Sequence, residues 1–284
     1  MKNIFIFIFI LITLVVVSCE KENLSNEHGA GMIVVEGYLY TGKSVDSIRL
    51  TQAVLLNSPD TLFLGIPNAS VSIANNGITY QLTPSAVAGY YNCNSNLVIS
   101  AGQTYSLKIN YNNSIITAQT VVPDNPAGFQ ISDTVLTIDT TLTSFRGITD
   151  TSSVLVSWTN PDKEYYFILL TYKDSTLKPI TFVSTNPRTG VTAIDTVRGN
   201  FTRRLQSSPI QSSSYKISAS SMSNYGNYEF KLYKVTKDYA NLYQSRSQST
   251  IDLNEPFTNI DNGLGIFTSF SVDSLSFRVA KKVQ

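Results

Sequence analysis

Histidine and cysteine are nearly missing from this 284-residue chain, which has one His, His28, and two Cys, Cys19 and Cys93. Zinc or copper sites, which need clusters of such residues, are therefore not expected. His28 falls in a polar stretch ahead of the first strand-like segment, so no Ser-His-Asp arrangement finds its base in the folded body. Cys93 has no His partner, and its setting, Tyr90-Tyr91-Asn92-Cys93, reads as a buried strand thiol. Charge is scarce as well, at 14% of residues, and almost balanced, with 21 basic and 20 acidic side chains. No basic patch argues for nucleic acid. Asp and Glu are present, so a carboxylate pair for glycoside hydrolysis stays open, but nothing in the sequence singles one out. Neither an enzyme nor a bound cofactor is expected.

What is present begins with a long apolar run, from Ile4 to Val17, behind Met1-Lys2. One positive charge, an apolar core and small residues at the end are the features of a secretory signal peptide. The run is shorter than the roughly 20 apolar residues that a membrane-spanning helix needs. Its ending, Val16-Val17-Ser18-Cys19, resembles a bacterial lipobox, in which the chain is cut before a diacylated cysteine. Residues 1–18 are thus expected to be removed, with Cys19 as the lipidated first residue of the mature protein. Cys93 is then the one thiol left, and an intrachain disulfide is excluded. Residues 19–31 are polar and read as a flexible tether. Cys19-Glu20-Lys21-Glu22 loosely fits the charged signal that resembles surface export in Bacteroidetes lipoproteins.

From residue 32 onward the chain reads as short strands and turns. Asn75-Asn76-Gly77 and Tyr111-Asn112-Asn113 each sit between alternating apolar runs, and Asn-Gly accepts the positive φ of a tight hairpin turn. Abundant Tyr and Phe, 16 and 14 residues, favour strands. Pro123-Asp124-Asn125-Pro126 interrupts pairing and marks the domain boundary. Val154, Val156 and Trp158 then alternate ahead of a Pro turn and a Tyr-rich strand, an order that resembles fibronectin type III domains. Tyr239, Leu242 and Tyr243 fall at helical spacing. The last strands are expected at 265–270 and 274–279. The predicted fold is all-β: two tandem β-sandwich domains, Ig-like or fibronectin III-like, at 32–122 and 123–284, with a short helix around 236–247.

Two motifs are weighed against their settings. Residues 37–44, Gly37-Tyr38-Leu39-Tyr40-Thr41-Gly42-Lys43-Ser44, match the phosphate-binding pattern G-x-x-x-x-G-K-S. Tyr, Leu and Thr are strand formers, whereas the phosphate cradle needs amides converging on a helix start, so a hairpin is predicted. Asn259-Ile260-Asp261-Asn262-Gly263 has oxygen ligands but lacks calcium-loop spacing and reads as a turn. A third pattern concerns modification. Eight of 13 Asp residues precede Ser or Thr, and seven of these continue with Ile, Leu, Val or Thr. That triplet resembles the Bacteroidetes O-glycosylation sequon and marks Ser47, Thr61, Thr134, Thr140, Ser175, Thr196 and Ser274 as candidates. Asx-capped turns would produce the same pairs without modification.

Val34-Val35-Glu36-Gly37-Tyr38-Leu39, Pro67-Asn68-Ala69-Ser70-Val71-Ser72-Ile73, Gly89-Tyr90-Tyr91 and Ala101-Gly102-Gln103-Thr104-Tyr105 follow in order, closed by residues 259–267. Together they resemble the DUF4249 family of Bacteroidetes outer-membrane lipoproteins. The resemblance implies attachment to outer-membrane lipid through Cys19 on the cell exterior. It also implies a TonB-dependent receptor or other outer-membrane β-barrel as partner, and brings no catalytic residues. Two functions are expected to compete. One is a non-enzymatic binding subunit of a TonB-dependent nutrient-uptake system, which a Tyr-lined concave pocket would favour. The other is a structural subunit of an outer-membrane complex with no small ligand, which a flat apolar patch would favour.

Overall fold

The computed structural model describes residues 31–45, 47–54, 64–93, 95, 97–141, 143–144, 147–197, 203–246 and 256–283. Cys19, Thr61, the signal peptide and all of the tether but Gly31 lie outside the described residues. The first half supplies β1 (Ile33–Tyr40), β2 (Ile48–Gln52), β3 (Ser70–Asn75), β4 (Ile78–Pro84), β5 (Tyr90–Asn92), β6 (Thr104–Tyr111) and β7 (Ser114–Val121). Then come β8 (Gln130–Ile131), β9 (Val135–Ile138), β10 (Thr143–Ser144), β11 (Gly147–Ile148), β12 (Ser153–Ser157) and β13 (Tyr165–Tyr172). They are followed by β14 (Thr181–Thr185), β15 (Thr192–Thr196), β16 (Arg204–Gln206), β17 (Ser214–Ser218) and β18 (Gly226–Val235). Helix α1 (Lys237–Arg246), β19 (Ile260–Asp261) and β20 (Leu264–Lys281) complete the chain.

Both expected hairpins form. Asn76 and Gly77 take φ of 50° and 77°, and Asn112 and Asn113 take 45° and 62°, the positive values that a two-residue turn demands. The phosphate-loop lookalike is also strand and turn. Gly37 lies within β1, and the Lys43 amide donates to the Tyr40 carbonyl at 3.1 Å before the chain returns as β2. A side chain at Gly37 would meet the Phe267 ring at 2.7 Å, so packing explains that glycine without a phosphate.

The protein is all-β with one short helix near the C-terminus. Its strands do not separate clearly into two sandwiches. Thirteen join in one mixed sheet, ordered β16-β13-β18-β20-β1-β2-β5-β4-β3-β6-β7-β19, with β9 beside β20. Small sheets of β17-β12-β8, β14-β15 and β10-β11 accompany it. The reason is β20, an 18-residue strand where two shorter ones were expected. Its first part runs parallel to β1, from Val34 opposite Leu264 to Tyr40 opposite Phe270. Its second part runs antiparallel to β18, from Val235 opposite Phe270 to Gly226 opposite Val279. One strand therefore stitches the two halves together.

Alternation along β20 then assigns two cores to one face. Phe267 packs in a first core with Val35, Leu39, Ile48, Tyr105 and Leu107. Phe277 and Val279 pack in a second with Val156, Trp158, Tyr166, Ile168, Tyr228 and Phe230. Trp158 is buried, its ring 5.5 Å from that of Tyr166, as the Val154-Val156-Trp158 alternation predicts. Cys93 is half-buried against the first core, with its Sγ 2.9 Å from the Ser95 hydroxyl.

Candidate functional site: an aromatic groove

On the opposite face of the large sheet a third apolar cluster gathers Phe167, Leu169, Val235 and Phe270, with Tyr38, Tyr40, Tyr165, Tyr233 and Tyr239 packed against it. Strand period places all of them but Tyr239, which comes from α1. In β1, Ile33, Val35 and Leu39 point to the first core, leaving Tyr38 and Tyr40 outward. In β13, Tyr166, Ile168 and Leu170 fill the second core, leaving Phe167 and Leu169 outward. Register does the rest: Tyr40 lies opposite Phe270, Val235 opposite Phe270, and Phe167 opposite Tyr233.

Ring geometry is that of a packed aromatic cluster. Tyr40 stacks on Phe270 at 5.2 Å, and Tyr239 of α1 meets the same ring edge-on at 4.9 Å. Phe167 lies 5.7 Å from Tyr233. Helix α1 is held over the sheet from its first turn. The Thr236 hydroxyl lies 2.6 Å from that of buried Thr268 in β20 and accepts from the Tyr239 amide at 3.2 Å. Asn259 adds a second tie, donating to Asp238 at 2.9 Å and to the Phe267 carbonyl at 2.8 Å, while accepting from the Phe267 amide.

Tyr239 divides the space above the cluster into two cavities. One, of about 190 Å³, lies toward the β16 edge and is lined by Tyr40, Phe167, Tyr233, Arg204 and Gln206 among others. The other, of about 200 Å³, lies between β1 and α1, against Tyr38, Tyr40, Leu242 and Tyr243. Among the described residues no carboxylate, imidazole or thiol lines either one; the lining offers aromatic faces, phenol hydroxyls and the polar ends of Arg204 and Gln206. A larger cleft of about 760 Å³ beside it is lined by Asp162, Lys163, Glu164, Lys234, Lys237 and Asp238, whose charges cancel; Lys234 pairs with Glu164.

Carboxylates that come near one another are engaged elsewhere. Asp150 accepts from the Asp139 and Ser152 amides at 2.7 and 2.8 Å. Burial raises the Asp150 carboxyl, but those bonds outweigh it and leave it below the ordinary range. The Thr141 hydroxyl, then its amide, then Lys282 hold Asp139 down to about 2. Both are ionised at neutral pH, and neither is poised as a general acid. Asp261 accepts from the Thr117 hydroxyl at 3.1 Å in the β19–β20 turn. Among the described residues no three His, Cys, Asp or Glu side chains gather where they could hold a metal ion.

The glycosylation candidates do not converge. Thr134, Ser175, Thr196 and Ser274 are exposed, Ser47 and Thr140 are half-buried, and Thr61 lies outside the described residues, as does Cys19. No sequence motif marks the groove residues, because they come from six elements between residues 38 and 270. One signal was available: Tyr38 and Tyr40 occupy the outward positions of β1, where alternation would ordinarily put polar side chains.

No curated protein matches the sequence. Among solved structures, domains 4–9 of the surface layer protein SbsC align over 89% of this chain and 32% of theirs. The identity is 12% and the TM-score 0.19, a likeness too slight to carry an argument. A family model matches residues 21–276, a span that takes in the first core, all of the second but Phe277 and Val279, and the whole aromatic groove. The chain belongs to the DUF4249 family, a domain of unknown function.

Proposed function

We propose that this protein is a non-enzymatic binding subunit of a TonB-dependent nutrient-uptake system, held by lipid on Cys19 at the outer membrane and facing the exterior. In this reading its two cores belong to two β-sandwich modules fused through β20. The observation that carries the reading is the Tyr-lined concave groove. Ligand sites are concave and set polar groups among aromatic and apolar walls, as the phenols, Arg204 and Gln206 are set here. The apolar run ending at Cys19 and the family resemblance support the location and the β-barrel partner. The four exposed Asp-Ser/Thr sequons support modification after export. The reading is tested by cross-linking intact cells, purifying the native protein and identifying what accompanies it. A TonB-dependent receptor is the expected partner. An assembly or scaffold complex with no transporter would overturn this in favour of a structural subunit.

A further inference from the structure

We propose that the aromatic groove binds an oligosaccharide carrying carboxylates, its acidic unit lying against Arg204. This rests on the reading of the protein as a binding subunit and names the ligand class. The groove does not follow a strand but crosses them. Aromatic side chains continue from Tyr40 in β1 through Phe270 in β20 and Tyr233 in β18 to Phe167 in β13, with Arg204 in β16 beyond. Tyr239 stands over Phe270 and leaves one cavity on each side of it, of about 190 and 200 Å³. Two adjoining cavities suit a ligand of linked units better than a single small molecule.

Two candidate occupants have that shape, and the backbone separates them. Strand-addition recognition of a peptide draws on unpaired main-chain groups at a sheet edge. Here β20 lies between β1 and β18, and β18 between β13 and β20, so the central floor has paired strands on both sides. A sugar needs no main-chain partner. Its C–H faces stack on aromatic rings, and its hydroxyls meet phenol oxygens and the Gln206 amide at the rim. Charge narrows the class further. Among the described residues Arg204 is the one ionised side chain lining the two cavities, with no carboxylate beside it there. A guanidinium presents a planar fork that fits a carboxylate through two hydrogen bonds.

The test uses the full chain purified in detergent, with oligogalacturonate as probe and its methyl ester of equal length as the uncharged control, followed by calorimetry. Arg204 and Tyr243 are exposed, so Arg204→Gln and Tyr243→Ala keep the fold. Wild-type protein is expected to bind the free acid, and each substitution to weaken it about tenfold, the scale of one lost contact. The ester is expected to bind wild type as weakly as the acid binds Arg204→Gln. No binding of the acid, an affinity unchanged in either variant, or an ester that binds as well as the acid would each overturn the proposal. Capture of a β-barrel from membranes by the same protein separates the two readings. Barrel capture without sugar binding removes the glycan site and leaves the subunit, whereas sugar binding without capture keeps the site and removes the subunit.

Discussion

Replacing Gly265 by Ala should damage the fold more than any change to the one carboxylate in the same closing segment. Gly265 has φ of +101°, where an L side chain is strained, and a Cβ there would sit 2.0 Å from the Val35 carbonyl oxygen and 2.9 Å from its nitrogen. Forcing Ala into that backbone region costs about 1–2 kcal/mol. The contact is with backbone, which cannot rotate away, so β1 must separate from β20 at the Val35–Gly265 pair. Losing two ladder hydrogen bonds adds about 0.5–1.5 kcal/mol each. The total, about 2–5 kcal/mol, reaches into the severe class of single substitutions and should lower Tm by roughly 10 °C. Asp261→Asn, which disturbs one exposed hydrogen bond from Thr117, should stay within about 0.5 kcal/mol. Urea unfolding followed through Trp158 fluorescence measures both. If Gly265→Ala lowered Tm by less than about 2 °C, the steric argument would fail. A purified chain that hydrolysed a glycan, peptide or ester and lost that rate in Asp261→Asn would show the segment to be catalytic.

Other consequences are as direct. Cys19→Ser should abolish fatty-acid labelling and release the protein from the outer membrane, and a wild type that takes up no label would refute the anchor. Trp158→Ala should cost about 3–5 kcal/mol, as truncation of buried aromatics does, and a red-shifted native emission would contradict its burial. Lys43→Ala, in an exposed turn, should leave stability unchanged; saturable ATP binding lost in that variant would revive the phosphate-loop reading. Asp139 has a lowered folded-state pKa, about 2, so its favourable contribution is present above pH 4 and lost as pH falls toward 2. NMR titration of its carboxyl carbon should show that midpoint, and Thr141→Ala should raise it.

Turns and small elements were legible in the sequence because their causes are local. The positive φ of Asn76 and Gly77 belongs to those residues, and the spacing of Tyr239, Leu242 and Tyr243 is visible within one helical turn. The inward face of Trp158 followed from its two neighbours at alternate positions. By contrast, β20 was read as two strands, 265–270 and 274–279, with Ser271 in the gap between them. Ser271 is in fact buried and donates to the Asp124 carbonyl at 2.7 Å, while Ser269, buried as well, donates to the Val121 carbonyl at 3.1 Å. A polar residue satisfied by a partner nearly 150 positions away looks, in a local window, like a loop.

What the sequence alone determined was the strand-rich character, the two hairpins, the short helix and the assignment of the 37–44 motif to a hairpin. Each depends on backbone preference or side-chain period over fewer than about ten residues. The merging of both halves into one sheet, and the aromatic groove on its outer face, were decided by tertiary structure. Tyr38, Phe167, Tyr233, Tyr239 and Phe270 become neighbours only when β20 pairs with β1 on one edge and β18 on the other. Strand pairing at that separation is chosen by the packing of the whole sheet over its two cores, and no single stretch of chain encodes it.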